Sequence, residues 1–87
     1  MKVHFVNGYI WEDDGISYPI IHDRNTFDSY EKAAQEIKNI YSDAVAEAVE
    51  MEYDIESKWI EEYQTLEITY KQTGTVENWV IYEREVY

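Results

Sequence analysis

The chain contains no cysteine, and this absence excludes several kinds of chemistry. Without thiols there is no disulfide framework, no cysteine nucleophile and no thiolate metal site. Proteins without disulfides are typical of reducing compartments, so we expect this chain to work in the cytoplasm.

Basic residues are also scarce. The chain has seven Lys and Arg against nineteen Asp and Glu, which gives a net charge of −12. The seven are scattered and form no basic patch, whereas binding to nucleic acid needs Lys or Arg against phosphate. We therefore expect no direct binding to DNA or RNA and no binding to anionic membranes. The expected partner is itself basic: a positively charged protein surface or a cation.

Long apolar runs are missing. The first eleven residues, MKVHFVNGYIW, lack a basic start followed by a long apolar stretch, so we expect no signal peptide. The longest uninterrupted apolar runs are only a few residues, which is too short for a transmembrane helix.

Residues that carry chemistry are few. His4 and His22 are the only histidines, and the acidic cluster at 12–14 lacks the alternating oxygen ligands of a calcium loop. His22 and Asp23 could form a base and its orienting carboxylate, but no recognisable nucleophile or phosphate-binding glycine loop accompanies them. We therefore expect no catalytic, cofactor-binding or metal site.

Aromatic residues, in contrast, are plentiful: nine Tyr, three Trp and two Phe in 87 residues. Disordered acidic chains are poor in such residues, and large aromatic side chains can build a core from few positions. We expect one folded domain over residues 1–87.

The first 22 residues have the pattern of strands. Asn7-Gly8 and Asp14-Gly15 lie between apolar stretches, where such pairs signal hairpins. One interpretation is a three-stranded meander. The other, which we favour, is one longer strand with a bulge at Gly8, followed by a hairpin at Asp14-Gly15. Pro19 cannot donate a ladder hydrogen bond, so we place its strand at an edge of the sheet.

A long amphipathic helix is predicted next, to about Met51. Asp28 and Glu31 have the spacing of a capping box. Apolar residues then recur at helical spacing: Tyr30, Ala33, Ala34, Ile37, Ile40, Tyr41, Ala44, Val45, Ala48 and Val49. We expect a break near 52–57 and a second short helix or irregular segment around Trp59, whose side chain we assign to the core.

The chain ends in two predicted strands, LEITYKQ and VENWVIYEREVY, joined by a turn at Thr73-Gly74. The predicted fold class is α+β: an antiparallel sheet of about four strands packed against one long helix, in the order β-β-α-(α)-β-β.

A row of carboxylates is predicted on the helix face opposite the apolar stripe. Four members recur every three or four residues, and Glu36 lies on the same line one or two turns earlier: Glu36, Asp43, Glu47, Glu50 and Asp54. Glu47 is followed at i+4 by Met51 and Glu50 by Asp54, and the next Lys is Lys58, so the repulsion goes largely uncompensated within the helix. We predict a partner-binding surface made of this row together with Glu61 and with Tyr53, which falls off the apolar stripe and should be exposed.

Such a row can imitate the phosphates of a nucleic-acid strand. In size, charge, absence of cysteine and aromatic content, the chain resembles the small acidic inhibitors encoded by phages and mobile elements, such as anti-CRISPR and anti-restriction proteins. The resemblance implies a non-enzymatic inhibitor that occupies the nucleic-acid-binding surface of a basic, nucleic-acid-handling protein.

Other hypotheses remain open at this point. The row could be no more than a solvated face of an acidic protein. The chain could be an immunity protein or antitoxin that neutralises a basic toxin such as a nuclease. It could be a small enzyme or ligand-binding domain centred on His22 and Asp23. Finally, it could be an acidic accessory domain or a homodimer subunit, in which the spare aromatic residues form the interface.

Overall fold

The computed structural model describes residues 1–85 and contains one helix and six strands. The helix is α1 (Tyr30–Met51), and a short 3-10 turn covers Glu61–Tyr63. The strands are β1 (Lys2–Trp11), β2 (Ser17–Ile20), β3 (Thr26–Phe27), β4 (Ile55–Ile60), β5 (Thr65–Tyr70) and β6 (Thr75–Glu85). The α+β class is confirmed, but the sheet has two strands more than predicted.

All strand pairs are antiparallel, and the sheet order is β2-β1-β6-β5-β4, with the short β3 pairing the first half of β1. The hairpin at Gly15 (φ +86°) and the turn at Gly74 (φ +75°) form where glycine permits a positive φ. Pro19 lies on β2, an edge strand, as predicted. The last strand was predicted to continue through residues 86–87, which lie outside the described part of the chain.

The single long first strand is confirmed, but the bulge at Gly8 is wrong. The β1–β6 ladder runs from Lys2 to Trp11 without an extra residue, and Gly8 faces Trp79 across it. A Cβ on Gly8 would lie 2.6 Å from the Trp79 ring. Glycine is therefore required here because the indole lies against the backbone, not because the strand bends.

The start of α1 differs from the predicted capping box. Ser29 is the N-cap, and its Oγ accepts a hydrogen bond from the Lys32 backbone N–H at 3.2 Å. Asp28 instead forms an ion pair with the Lys32 side chain at 3.0 Å. This contact, through its hydrogen bond and charge, lowers the pKa of Asp28.

The helix ends where a break was expected, at Glu52, which adopts the left-handed conformation (φ 58°). The segment after it is a strand, Ile55–Ile60, so the prediction of a second short helix or an irregular segment around Trp59 is wrong. Residues 55–60 alternate between the two faces of the sheet in register with β5, and this alternation outweighs the helical spacing of Ile55 and Trp59.

The core lies between α1 and one face of the sheet. Its fully buried side chains include Val6 and Ile68, and Ala33 and Ile37 of the helix pack against them. The helix contacts β1, β3 and β6 more than β4 and β5, so it lies off-centre over the sheet. Within residues 1–85, no helix has the length and apolar character that crossing a bilayer requires.

Candidate partner-binding surface

Three carboxylates form the acidic row on the surface of α1: Asp43, Glu47 and Glu50. All three are exposed, and none forms an ion pair with another residue of the described chain. Residues three and four apart on a helix are neighbours, and like charges there repel. The acidic row is therefore a patch of negative charge that the protein itself leaves uncompensated.

The acidic row lies towards the C-terminus of α1, which is the negative end of the helix dipole. The last turn of α1 contains no basic residue, and Glu50 and Glu52 lie at its end. Carbonyl groups at a helix C-terminus carry partial negative charge and favour cations nearby. Placing carboxylates there instead adds to the negative potential, so Glu52 belongs with the acidic row although the sequence analysis omitted it. The absence of a cation in the last predicted turn was the signal that could have found it.

Glu36 does not lie on the exposed surface. Glu36 is only 7% exposed, and its Oε2 lies 2.7 Å from His22 Nε2. The helical spacing predicted its direction correctly, but the loop before β3 brings His22 over this side of α1. Tertiary packing therefore buries a carboxylate that was predicted to face solvent and pairs it with His22.

Asp54 and Glu61 are exposed, but neither residue belongs to helix α1. Asp54 follows the end of α1, and its backbone is held by Lys71 and Gln72 in the turn after β5. Glu61 lies in the 3-10 turn and accepts hydrogen bonds from Trp59 and Gln64, which lower its pKa. Asp54 remains close to the acidic row in sequence, whereas Glu61 belongs to a separate surface beyond β4.

Aromatic side chains flank the end of α1. Tyr53 is 43% exposed, as predicted, and its ring packs edge-on against Tyr70. Burial raises the pKa of Tyr70, and its hydrogen bond to Glu77 and the charges of Glu77 and Glu47 raise it further. The phenol of Tyr70 therefore stays neutral beneath the acidic row. The exposed ring of Tyr53 packs at the edge of this phenol.

The pairing of His22 with Asp23 that the enzyme hypothesis requires is not formed. The imidazole of His22 is directed to Glu36 and packs edge-on against Trp79, while Asp23 is exposed. Residues 1–85 bring together no group of three or more His, Asp or Glu side chains that could hold a metal ion. The histidine–carboxylate pair that does form links the loop before β3 to the helix.

An apolar groove lies on the other flank of α1, where the off-centre helix leaves β4 and β5 partly uncovered. Its volume is about 490 Å³. It is lined by Tyr30, Ala34, Ile37, Lys38, Tyr41, Ser57, Lys58, Trp59 and Leu66. Trp59 is 40% exposed there, so its assignment to the core is wrong. No carboxylate lines the groove, which separates it chemically from the acidic row.

Comparison with protein-family models, with curated proteins and with solved structures gives no match to this chain.

Proposed function

We propose that this protein is a non-enzymatic inhibitor that binds a basic, nucleic-acid-handling protein through the acidic row and blocks access of DNA or RNA. The observation that carries the proposal is the exposure of Asp43, Glu47 and Glu50 without cationic partners among residues 1–85. A complementary surface of Lys and Arg would supply those partners.

The arrangement favours a partner that binds phosphates. Carboxylates three and four residues apart rise about 4.5 to 6 Å along the helix axis, which gives a linear series of charges. Arg side chains that clamp phosphates bind carboxylates with the same bidentate geometry. Attraction between a protein of net charge −12 and a basic groove would also accelerate the encounter.

The exposed ring of Tyr53 supports a binding role over a merely solvated face. Tyrosine offers a large contact area and a hydroxyl at low entropic cost, and it is enriched among residues that dominate binding energy. Tyr53 follows the helix directly, so a partner that contacts Glu50 can also cover this ring.

The test is affinity capture with the purified protein from nuclease-treated bacterial lysate, followed by competition with DNA and RNA. The double variant Glu47→Lys/Glu50→Lys should lose the captured partner. Asp13→Lys/Asp23→Lys is the matched control, because both residues are exposed, lie off the helix and produce the same change in net charge. We expect the control to retain binding and the wild-type complex to weaken steeply with salt.

Equal loss of binding in both variants would show that net charge alone drives capture and would contradict a role for the acidic row. Unchanged binding by Glu47→Lys/Glu50→Lys would contradict the proposal outright. A captured toxin that nucleic acid does not displace would instead favour the immunity-protein hypothesis.

A further inference from the structure

The face of the sheet opposite α1 is uncovered, and it is aromatic. Side chains along a strand alternate between the two faces of the sheet. The residues that lie between the core positions of each strand therefore point away from the helix. The apolar members of this open face, including one from the 3-10 turn, are Val3, Phe5, Tyr9, Trp11, Ile60, Tyr63, Val76, Val80 and Tyr82. No element of the described chain packs over them.

Two aromatic rings of the open face are in direct contact. Phe5 and Tyr82 pair across the β1–β6 ladder and stack with centroids 5.4 Å apart. Asn7 Nδ2 donates a hydrogen bond to the Tyr82 hydroxyl at 2.6 Å, which fixes that ring. Near the other end of the ladder, Trp11 and Tyr9 line a shallow depression of about 440 Å³. A preordered surface with a depression is suited to receive side chains from another protein surface.

The open face is also electrically balanced. Its charged strand residues are two acids and two bases: Glu56, Glu67, Lys58 and Arg84. Lys58 and Glu67 already lie 3.6 Å apart. Since the whole chain carries −12, nearly all of the excess charge lies on the helix, the loops and the helix side of the sheet. A second copy therefore meets this face without the repulsion that two acidic rows would produce.

We infer that the open face binds a second copy of this chain, giving a symmetric dimer with two sheets packed face to face and the two helices outside. The strand lengths and an inter-strand spacing of about 4.8 Å give the open face a flat area of roughly 600 Å². The side chains that project from this face add further contact area. Specific complexes bury about 800 Å² per partner. Such a dimer would present its two acidic rows on opposite sides. The distance between the rows would be well above the Debye length of about 8 Å at physiological salt.

The experiment is sedimentation velocity of the full chain from micromolar to millimolar concentration. We expect a species of twice the 10.5 kDa chain mass to grow with concentration. Trp11→Lys should raise the dissociation constant about tenfold, because Trp is enriched among the interface residues whose truncation costs more than 1 kcal/mol, and about 1.4 kcal/mol corresponds to tenfold. Trp59→Lys is the matched control, since Trp59 is 40% exposed on the helix side and Trp11 is 47% exposed on the open face. Circular dichroism confirms that both variants fold.

If Trp11→Lys does not fold, concentration-dependent amide shifts of the wild-type protein replace it, and they should map to β1 and β6. A chain that remains monomeric throughout the range overturns the inference. A dimer disrupted by Trp59→Lys but not by Trp11→Lys, or amide shifts confined to α1, also overturns it. Added salt should strengthen this dimer by screening the like net charges, whereas it should weaken binding through the acidic row. Failure of one proposal is therefore distinguishable from failure of the other.

Discussion

His22 Nε2 lies 2.7 Å from Glu36 Oε2, and this contact fastens the loop before β3 to the first half of α1. The imidazole also packs edge-on against Trp79, with ring centroids 5.2 Å apart. Glu36 shares a helical line with Glu47 and Glu50, yet it stabilises the fold while they face solvent.

Glu36→Ala should lower the free energy of unfolding by about 1–3 kcal/mol, because it leaves the half-buried His22 without its partner. Glu50→Ala is the control, and its effect should stay within about 0.5 kcal/mol, as for most surface substitutions. Urea unfolding of the two variants at neutral pH measures both. Equal stability of the two variants would contradict the structural role assigned to Glu36.

Gly8→Ala should destabilise the protein by about 1–3 kcal/mol, the usual cost of overpacking a core. The new Cβ would meet the Trp79 ring at 2.6 Å, and that ring is almost fully buried. Thermal unfolding of Gly8→Ala, Trp79→Leu and the double variant forms a cycle. We expect the double variant to be more stable than the sum of the single effects predicts, since leucine removes the clash. Strict additivity would contradict a direct contact.

Tyr70→Phe should remove a late step from the alkaline titration of the protein. Burial and the Glu77 carboxylate raise the pKa of Tyr70, so the folded state keeps this proton after the unfolded state has lost it. The associated stability is therefore fully present below the unfolded pKa of about 10 and falls as pH rises above it. The measurement is the Cζ shift of Tyr70 by NMR, assigned from the variant, against a tyrosine peptide. Coincident midpoints would contradict the raised pKa.

Local patterns predicted the turns, the long helix and the two final strands, because glycine dipeptides and apolar periodicity are properties of neighbouring residues. The failures depend on contacts distant in sequence. Glu36 is buried by a loop that ends before the helix begins, and Gly8 is explained only by Trp79 across the ladder. Trp59 kept helical spacing with Ile55, but pairing with β5 made the segment a strand. Asp43, Glu47 and Glu50 are exposed as predicted, because no other part of the described chain packs over that part of α1.

Glu47→Lys/Glu50→Lys should raise the stability of the isolated protein while abolishing binding to the proposed basic partner. The substitutions replace two carboxylates near the C-terminal end of α1 with cations, which the helix dipole favours. They also turn the repulsion between Asp43 and position 47 into attraction, while positions 47 and 50 still carry like charges. Each effect is worth only a few tenths of a kcal/mol to about 1 kcal/mol, so the midpoint of thermal unfolding should rise by a few degrees.

Asp13→Lys/Asp23→Lys again separates local from global charge. Both double variants reduce the net charge of the chain equally. The extra stability of Glu47→Lys/Glu50→Lys should therefore remain after the stability gain of the control is subtracted, and it should shrink in high salt. A helix variant no more stable than the control would mean that the acidic row carries no stability cost. Greater stability combined with lost binding would mean that the row is maintained against the stability of the fold, as expected for a surface selected to meet cations on another molecule.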